Sequence, residues 1–91
     1  MIIRYFAMLR NVTRQNEQAW NAPVSSVREL LEELCRVYGT EFRQWMVDEN
    51  GNLGGLSIVL VNGTDYRHLG GLDAPLQADD VVAIFPPVAG G

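Results

Sequence analysis

The N-terminal segment, residues 2–9, has a two-residue repeat of side-chain character and therefore predicts a β-strand. The side that suits a buried core consists of Ile3, Tyr5, Ala7 and Leu9. The opposite side, which suits an exposed or partner-covered face, consists of Arg4, Phe6 and Met8. Residues 11–16 are polar and predict a turn. Residues 17–22 predict a second strand that completes a hairpin and ends at Pro23.

The clearest helix signal begins at Ser26. Ser26 and Glu29 have the spacing of a capping box, and Gly39 stands where a left-handed C-terminal cap is expected. Between them, apolar residues follow one another at helical spacing, namely Val27, Leu30, Leu31, Leu34, Cys35 and Tyr38. We therefore expect a helix with one buried face. Because Cys35 lies on that face, we expect a buried structural thiol.

The second half of the chain predicts a short helical turn followed by three strands. The turn spans residues 40–47, where Phe42, Trp45 and Met46 would close the edge of the core. Residues 57–61 predict a strand, and Asn62-Gly63 after it is a strong hairpin signal. Residues 64–68 predict a short fourth strand, with the single histidine, His68, at the surface. Residues 74–80 then form a loop before the last strand, 81–85.

The order of these elements predicts an α+β fold of the β-grasp (ubiquitin-like) type: a mixed sheet with one main helix on one face. The first and last strands would run parallel at the sheet centre, with Val82 and Ile84 facing the helix. Phe6 and Phe85 would then share the uncovered face and offer an apolar docking patch. We expect one domain over residues 1–86 and a flexible tail over residues 87–91.

Composition and charge narrow the possible partners and compartment. The net charge of −4 argues against nucleic acid as the main partner. One cysteine cannot form an internal disulfide, and no metal-ligand spacing surrounds it, so a cytoplasmic location is expected. Arg4 follows the N-terminal Met too closely for a signal peptide or a membrane span. All seven basic residues are arginine, so the chain has no lysine.

The candidate chemistry lies in the last residues. Pro86 and Pro87 stop the final strand, and Gly90-Gly91 is thin enough to thread a narrow channel. An α-carboxyl group has a reference pKa of about 3.5, so it is ionised at neutral pH. Such a carboxylate could attack the α-phosphorus of ATP and form an acyl-adenylate, which a sulfur or nitrogen nucleophile would displace. The alternative is that Gly90 and Gly91 are an accidental C-terminal ending without a function.

The segment from Asp80 to the end, Asp-Val-Val-Ala-Ile-Phe-Pro-Pro-Val-Ala-Gly-Gly, resembles the C-terminus of the small subunit of molybdopterin synthase, a sulfur carrier of the MoaD/ThiS type. Residues 3–10 and 26–31 are similar to the corresponding family segments, and residues 40–56 are the least characteristic. Thiamine sulfur carriers share Gly-Gly but usually lack the paired prolines, whereas archaeal ubiquitin-like modifiers share the whole ending. The family's Asp-Gly-Asp turn is Ala78-Asp79-Asp80 here, a difference that affects turn geometry.

The resemblance implies a carrier with no catalytic site of its own and no bound cofactor or metal. A ubiquitin-activating-type adenylating enzyme would adenylate Gly91 with ATP, and persulfide sulfur would convert the adenylate to a thiocarboxylate. The tail would then enter the large subunit of molybdopterin synthase and give its sulfur to a pterin precursor. Gly91 would carry the sulfur, and Gly90 would permit threading. The implied partner-binding residues are Phe6, Phe85, Pro86, Pro87, Val88 and Ala89.

Three functional hypotheses follow from the sequence. The first is a sulfur carrier for molybdopterin synthesis. The second is a protein modifier, or a sulfur carrier for another pathway such as thiamine synthesis or tRNA thiolation. The third is a β-grasp interaction module without covalent chemistry, which would leave Gly90-Gly91 unused.

Overall fold

A five-stranded mixed sheet forms the frame of the protein in a computed structural model that describes residues 1–87. The strands are β1 (Ile2–Tyr5), β2 (Glu17–Ala19), β3 (Ile58–Val61), β4 (Thr64–Asp65) and β5 (Val81–Phe85). The helices are α1 (Met8–Thr13), α2 (Val27–Tyr38) and α3 (Thr40–Met46), and two 3₁₀ segments cover Tyr66–Leu69 and Gly71–Asp73. The strand order is β2-β1-β5-β3-β4, with β1 and β5 parallel and the other pairs antiparallel. The predicted β-grasp architecture is confirmed.

The central strand β5 presents one face to the core and the other outward. Val82 pairs with Ile3 on one side and Val61 on the other, so the three residues lie in one row of the sheet. Val82 and Ile84 are fully buried in the cluster that contains the apolar face of α2. Val81, Ala83 and Phe85 remain partly exposed, as the two-residue period of the strand predicts.

Helix α2 begins and ends close to the predicted residues, but both caps differ in detail. The Ser26 hydroxyl accepts a hydrogen bond from the Glu29 N–H at 3.2 Å. The Glu29 carboxylate returns to the N–H of Ser25 at 2.9 Å, one residue earlier than a capping box requires. At the other end, Gly39 has φ +75° and ψ −154°, which is not the left-handed helical region. Gly39 therefore joins α2 directly to α3, in a conformation that suits glycine.

The prediction of one strand over residues 2–9 is wrong beyond Tyr5. Ala7 adopts φ +53°, and α1 occupies Met8–Thr13, where the sequence predicted strand and turn. Leu9 is fully buried, as predicted, but it reaches the core from a helix. The Thr13 hydroxyl donates to the Leu9 carbonyl at 2.9 Å and occupies the inner side of this helix. Ala7, predicted to face the core, is exposed.

The other boundaries shift by smaller amounts. The predicted 17–22 strand is limited to Glu17–Ala19, and the predicted 57–61 strand begins at Ile58. The predicted turn at 40–47 is the seven-residue helix α3, in which Phe42 and Met46 are fully buried. The predicted 64–68 strand ends at Asp65, because the Asp65 carboxylate accepts from the Arg67 N–H at 2.9 Å and starts a 3₁₀ segment. His68 is exposed, as predicted.

Candidate functional site

Two aromatic rings lie stacked at the end of β5 that leads toward the C-terminus. The centroids of Phe6 and Phe85 are 4.2 Å apart, and the ring planes differ by 12°. Phe6 follows β1 directly, and its N–H donates to the Ile84 carbonyl at 3.2 Å, which extends the pairing of β1 with β5 by one residue. Both rings are partly exposed. The predicted meeting of these two residues on the uncovered sheet face is confirmed.

Arg10 adds a positive charge beside the stacked pair. Its guanidinium carbon lies 5.5 Å from the centroid of the Phe6 ring, within the range of a cation–π contact. Its Nε also donates to the Tyr5 carbonyl at 3.2 Å, so the last residue of β1 fixes the arginine. Sequence reasoning missed this residue because Arg10 lies between the strand predicted over residues 2–9 and the turn predicted over residues 11–16, and no helix was predicted there. The helical spacing of Leu9, Val12 and Thr13 was the signal that could have revealed it.

The apolar outer face continues from the rings across β3. Ile58 pairs with Phe85, and Leu60 pairs with Ala83, and paired residues of antiparallel strands point to the same side of a sheet. Ile58 is 42% exposed and lies next to Phe85 on the side away from Phe6. We call the set Phe6, Ile58, Leu60, Ala83 and Phe85 the docking surface. Exposed apolar patches of this kind often mark protein–protein contact areas, so the name states a hypothesis about this surface.

The C-terminal segment leaves the sheet beside this surface. Pro86 is buried and Pro87 is partly buried, so both prolines lie against the domain. The remaining predicted site residues, Val88, Ala89, Gly90 and Gly91, lie outside the described residues. After Phe85, the end of β5, the chain therefore continues to the residues for which the sequence predicts a reactive carboxyl group.

The groups with a raised pKa among the described residues belong to the buried core. Burial raises the pKa of the Cys35 thiol, so this group stays protonated at neutral pH. Burial, with a contribution from Tyr38, also raises the pKa of Tyr5. The Tyr5 and Tyr38 hydroxyls both donate to the Gln18 amide oxygen, which ties β1 and β2 to α2. Within residues 1–87, no group of three or more His, Cys, Asp or Glu side chains could hold a metal ion.

The helices of the described part are short. The longest, α2, has 12 residues. Among residues 1–87, no helix has both the length and the apolar character that crossing a membrane requires.

Comparison with known proteins identifies the family of this chain. The model of the ThiS family matches residues 3–91, which is nearly the whole chain. The chain belongs to the ThiS family. This family and its structural neighbours are ubiquitin-like sulfur carriers and modifiers, in agreement with the resemblance found from the sequence.

Three matches show what this ThiS-family chain is similar to. The chain is 35% identical over 91 residues to small archaeal modifier protein 3 of Haloferax volcanii, covering 98% of this chain and 96% of the relative. The solution structure of the Haloferax volcanii HVO 2177 protein superposes with a TM-score of 0.82 at 32% identity, covering 99% of this chain and 84% of that one. A Pyrococcus furiosus protein, provisionally named molybdopterin converting factor, subunit 1, superposes with a TM-score of 0.70 at 29% identity, covering 96% and 95%.

Proposed function

We propose that this ThiS-family protein carries sulfur on the carboxyl group of Gly91. The observation that carries the proposal is the stacked pair Phe6–Phe85 at the end of β5, in a chain of a sulfur-carrier family. A partner that contacts the docking surface would be close to the segment that follows Pro87. The protein then needs no catalytic residues of its own, because it supplies a reactive terminus and a surface that its partner recognises.

The proposed chemistry has three balanced steps. The Gly91 carboxylate attacks the α-phosphorus of ATP, forming the acyl-adenylate and releasing pyrophosphate. The terminal sulfur of a cysteine persulfide on a partner then attacks the acyl carbon, and AMP leaves. A second thiol attacks the sulfur–sulfur bond of the resulting acyl persulfide, which releases the thiocarboxylate and leaves a disulfide on the partner. The thiols that these steps consume are maintained in a reducing cytoplasm, where we place the protein.

The proposed sulfur acceptor is a pterin precursor bound by the large subunit of molybdopterin synthase. Two observations support this acceptor. The ending Phe85-Pro86-Pro87-Val88-Ala89-Gly90-Gly91 resembles that of the small synthase subunit. The Pyrococcus furiosus neighbour also bears the name of a molybdopterin converting factor subunit. The two partners are therefore an adenylating enzyme of the ubiquitin-activating type and the large synthase subunit.

A second candidate function is protein modification. The 35% identity to small archaeal modifier protein 3 favours it. In this case the same acyl-adenylate, or a thioester formed from it, would be attacked by a lysine amine of another protein. The two functions share the activation of Gly91 and differ only in the nucleophile that follows.

The deciding experiment combines the 91-residue chain with ATP, the adenylating enzyme and a persulfide donor from the same organism. Intact mass should then detect one oxygen replaced by one sulfur. Adding the large synthase subunit and the pterin precursor should return the carrier to its original mass and form a dithiolene product. A parallel reaction receives cell lysate from the same organism. Lysate proteins joined to the carrier through isopeptide bonds there, without any dithiolene product in the first reaction, would favour the modifier. No adenylation at all would leave only a non-covalent interaction module.

A further inference from the structure

Leu56 is the most exposed large apolar side chain of the described residues, at 78%, and it lines a groove that Pro87 also lines. The two residues line one groove of about 280 Å³, together with Trp45 and Val47 from the end of α3. We call it the tail groove, since Pro87 is the last described residue before Val88–Gly91. Its apolar walls are open to solvent where the C-terminal segment begins.

The loop that presents Leu56 is held by several hydrogen bonds. The Asp48 carboxylate accepts from the N–H groups of Asn50 at 2.9 Å and Asn52 at 2.8 Å. Val47 forms a bridge with Leu53, and the Gly54 N–H donates to the Met46 carbonyl. A Cβ on Gly54, at φ +92°, would lie 2.6 Å from the Tyr66 hydroxyl, so this passage requires glycine. The fold thus holds the loop in the conformation that exposes Leu56.

The rim of the tail groove is acidic. Asp48 and Glu49 line it, and no lysine or arginine does so among the described residues. The hydrogen bond from the Asn52 N–H lowers the pKa of Asp48, which keeps its carboxylate ionised at neutral pH. An apolar floor with two carboxylates at the rim complements an apolar side chain that has a cation next to it.

The tail groove also continues the docking surface. Leu56 precedes Ile58 by two residues, and Ile58 pairs with Phe85. A protein that covers Phe6 and Phe85 while it holds the segment after Pro87 would therefore also cover Leu56. This continuity, together with the acidic rim, identifies the kind of partner that fits.

We propose that the tail groove binds a loop of the adenylating enzyme that activates Gly91. In this complex an apolar side chain of the loop packs on Trp45, Leu56 and Pro87, and an adjacent lysine or arginine pairs with Asp48 and Glu49. The groove then selects the activating enzyme, while the tail presents the reactive carboxylate. This inference rests on the proposed function, because it assigns the partner of the same terminus.

The test measures ATP–pyrophosphate exchange by the adenylating enzyme as a function of carrier concentration. For Leu56→Asp and Glu49→Arg we expect KM to rise about tenfold and about threefold, with kcat unchanged. Leu69→Asp is the control for Leu56→Asp, since Leu69 is 39% exposed beside Asn62 and Asp80, at the opposite end of β5. Glu32→Arg on the exposed side of α2 matches the charge change of Glu49→Arg. Both controls should behave as wild type, and thermal melts verify that each variant is folded.

Several outcomes would overturn this inference. Wild-type exchange with unchanged KM for both groove variants would overturn it while the proposed function survives. No exchange by the wild type would overturn both. The groove would be assigned to a second copy if the wild-type chain self-associated and Leu56→Asp abolished that self-association without a change in KM. The groove would be assigned to the chain's own tail if the groove variants left KM unchanged and removal of residues 88–91 shifted the Trp45 indole NMR signal.

Discussion

Asn62 and Asp80 are joined by a hydrogen bond of 2.9 Å from the Asn62 amide nitrogen to an Asp80 carboxylate oxygen. The Asn62 amide oxygen accepts from the Val81 N–H at 2.9 Å, and the other Asp80 oxygen accepts from the Gln77 N–H at 2.8 Å. The pair thus connects the turn after β3 to the first residue of β5. It gives Ala78-Asp79-Asp80 a fixed turn geometry without the glycine of the family pattern.

We expect Asp80→Ala to lower the free energy of unfolding by about 1–3 kcal/mol, because two partly buried hydrogen bonds to the Asp80 carboxylate are lost. Asp79→Ala should change it by less than about 0.5 kcal/mol, since Asp79 is exposed. Urea unfolding followed by circular dichroism measures both variants. Equal stability of the two variants would mean that the Asn62–Asp80 pair does not support the start of β5.

Phe6→Ala and Phe85→Ala should weaken partner binding more than they lower stability. Both rings are partly exposed. Because each variant removes the stacking of the two rings, we expect each to lose about 0.5–1.5 kcal/mol of stability. Phe42→Ala is the comparison for a fully buried ring and should lose about 3–5 kcal/mol. Unfolding curves and calorimetric titration with the large subunit measure the two quantities. A full core penalty with unchanged affinity would show that the rings serve only the fold.

Removal of Gly91, or addition of one residue after it, should abolish carrier activity and leave the fold intact. The reactive carboxylate belongs to the last residue, whereas the buried cluster is formed by residues of the described domain, between Ile3 and Ile84. Pyrophosphate exchange and cofactor synthesis should be lost, and the melting temperature should stay at the wild-type value. Full activity of the extended variant would refute the carrier function.

The native chain should resist alkylation until it is loaded with sulfur. Cys35 is buried and burial raises the pKa of its thiol, so little thiolate forms at pH 7. Iodoacetamide should therefore add no group to the unloaded protein and one group to the thiocarboxylate form, as intact mass would detect. Cys35→Ala should give the same result. Rapid labelling of the unloaded wild type at Cys35 would contradict this expectation.

The activated protein should not join to its own copies. The chain has no lysine, and arginine stays protonated and is a poor nucleophile. The α-amine of Met1 donates to the Ala78 carbonyl at 2.7 Å and to the Trp20 carbonyl at 3.3 Å, so it is held at the end of the sheet opposite Phe85. After incubation of the 91-residue chain with ATP and the adenylating enzyme, a reducing gel should contain no multimers. A ladder of bands resistant to reductant would indicate a linear modifier linked through Met1.

The sequence alone predicted the elements in which a single period is unambiguous. Helix α2 follows from Ser26, the apolar stripe and Gly39, because no other structure buries residues at that spacing. The facing of Val82 and Ile84 follows from the two-residue period of a strand that ends at proline. The meeting of Phe6 with Phe85 followed once β1 and β5 were taken as parallel neighbours. The role of Gly91 stays a prediction from resemblance and chemistry.

Tertiary structure decided the features for which the local pattern permits two answers. Residues 8–13 suit either a strand or a helix, and Leu9 is buried in both cases. The positive φ of Ala7 ends the extended chain, and the bond from the Thr13 hydroxyl to the Leu9 carbonyl belongs to α1. Leu56 and Pro87 are far apart in the chain but line the same tail groove, together with residues from the end of α3. No local period predicts such a groove. It exists because β3 and β5 pair, and that pairing is a property of the whole sheet.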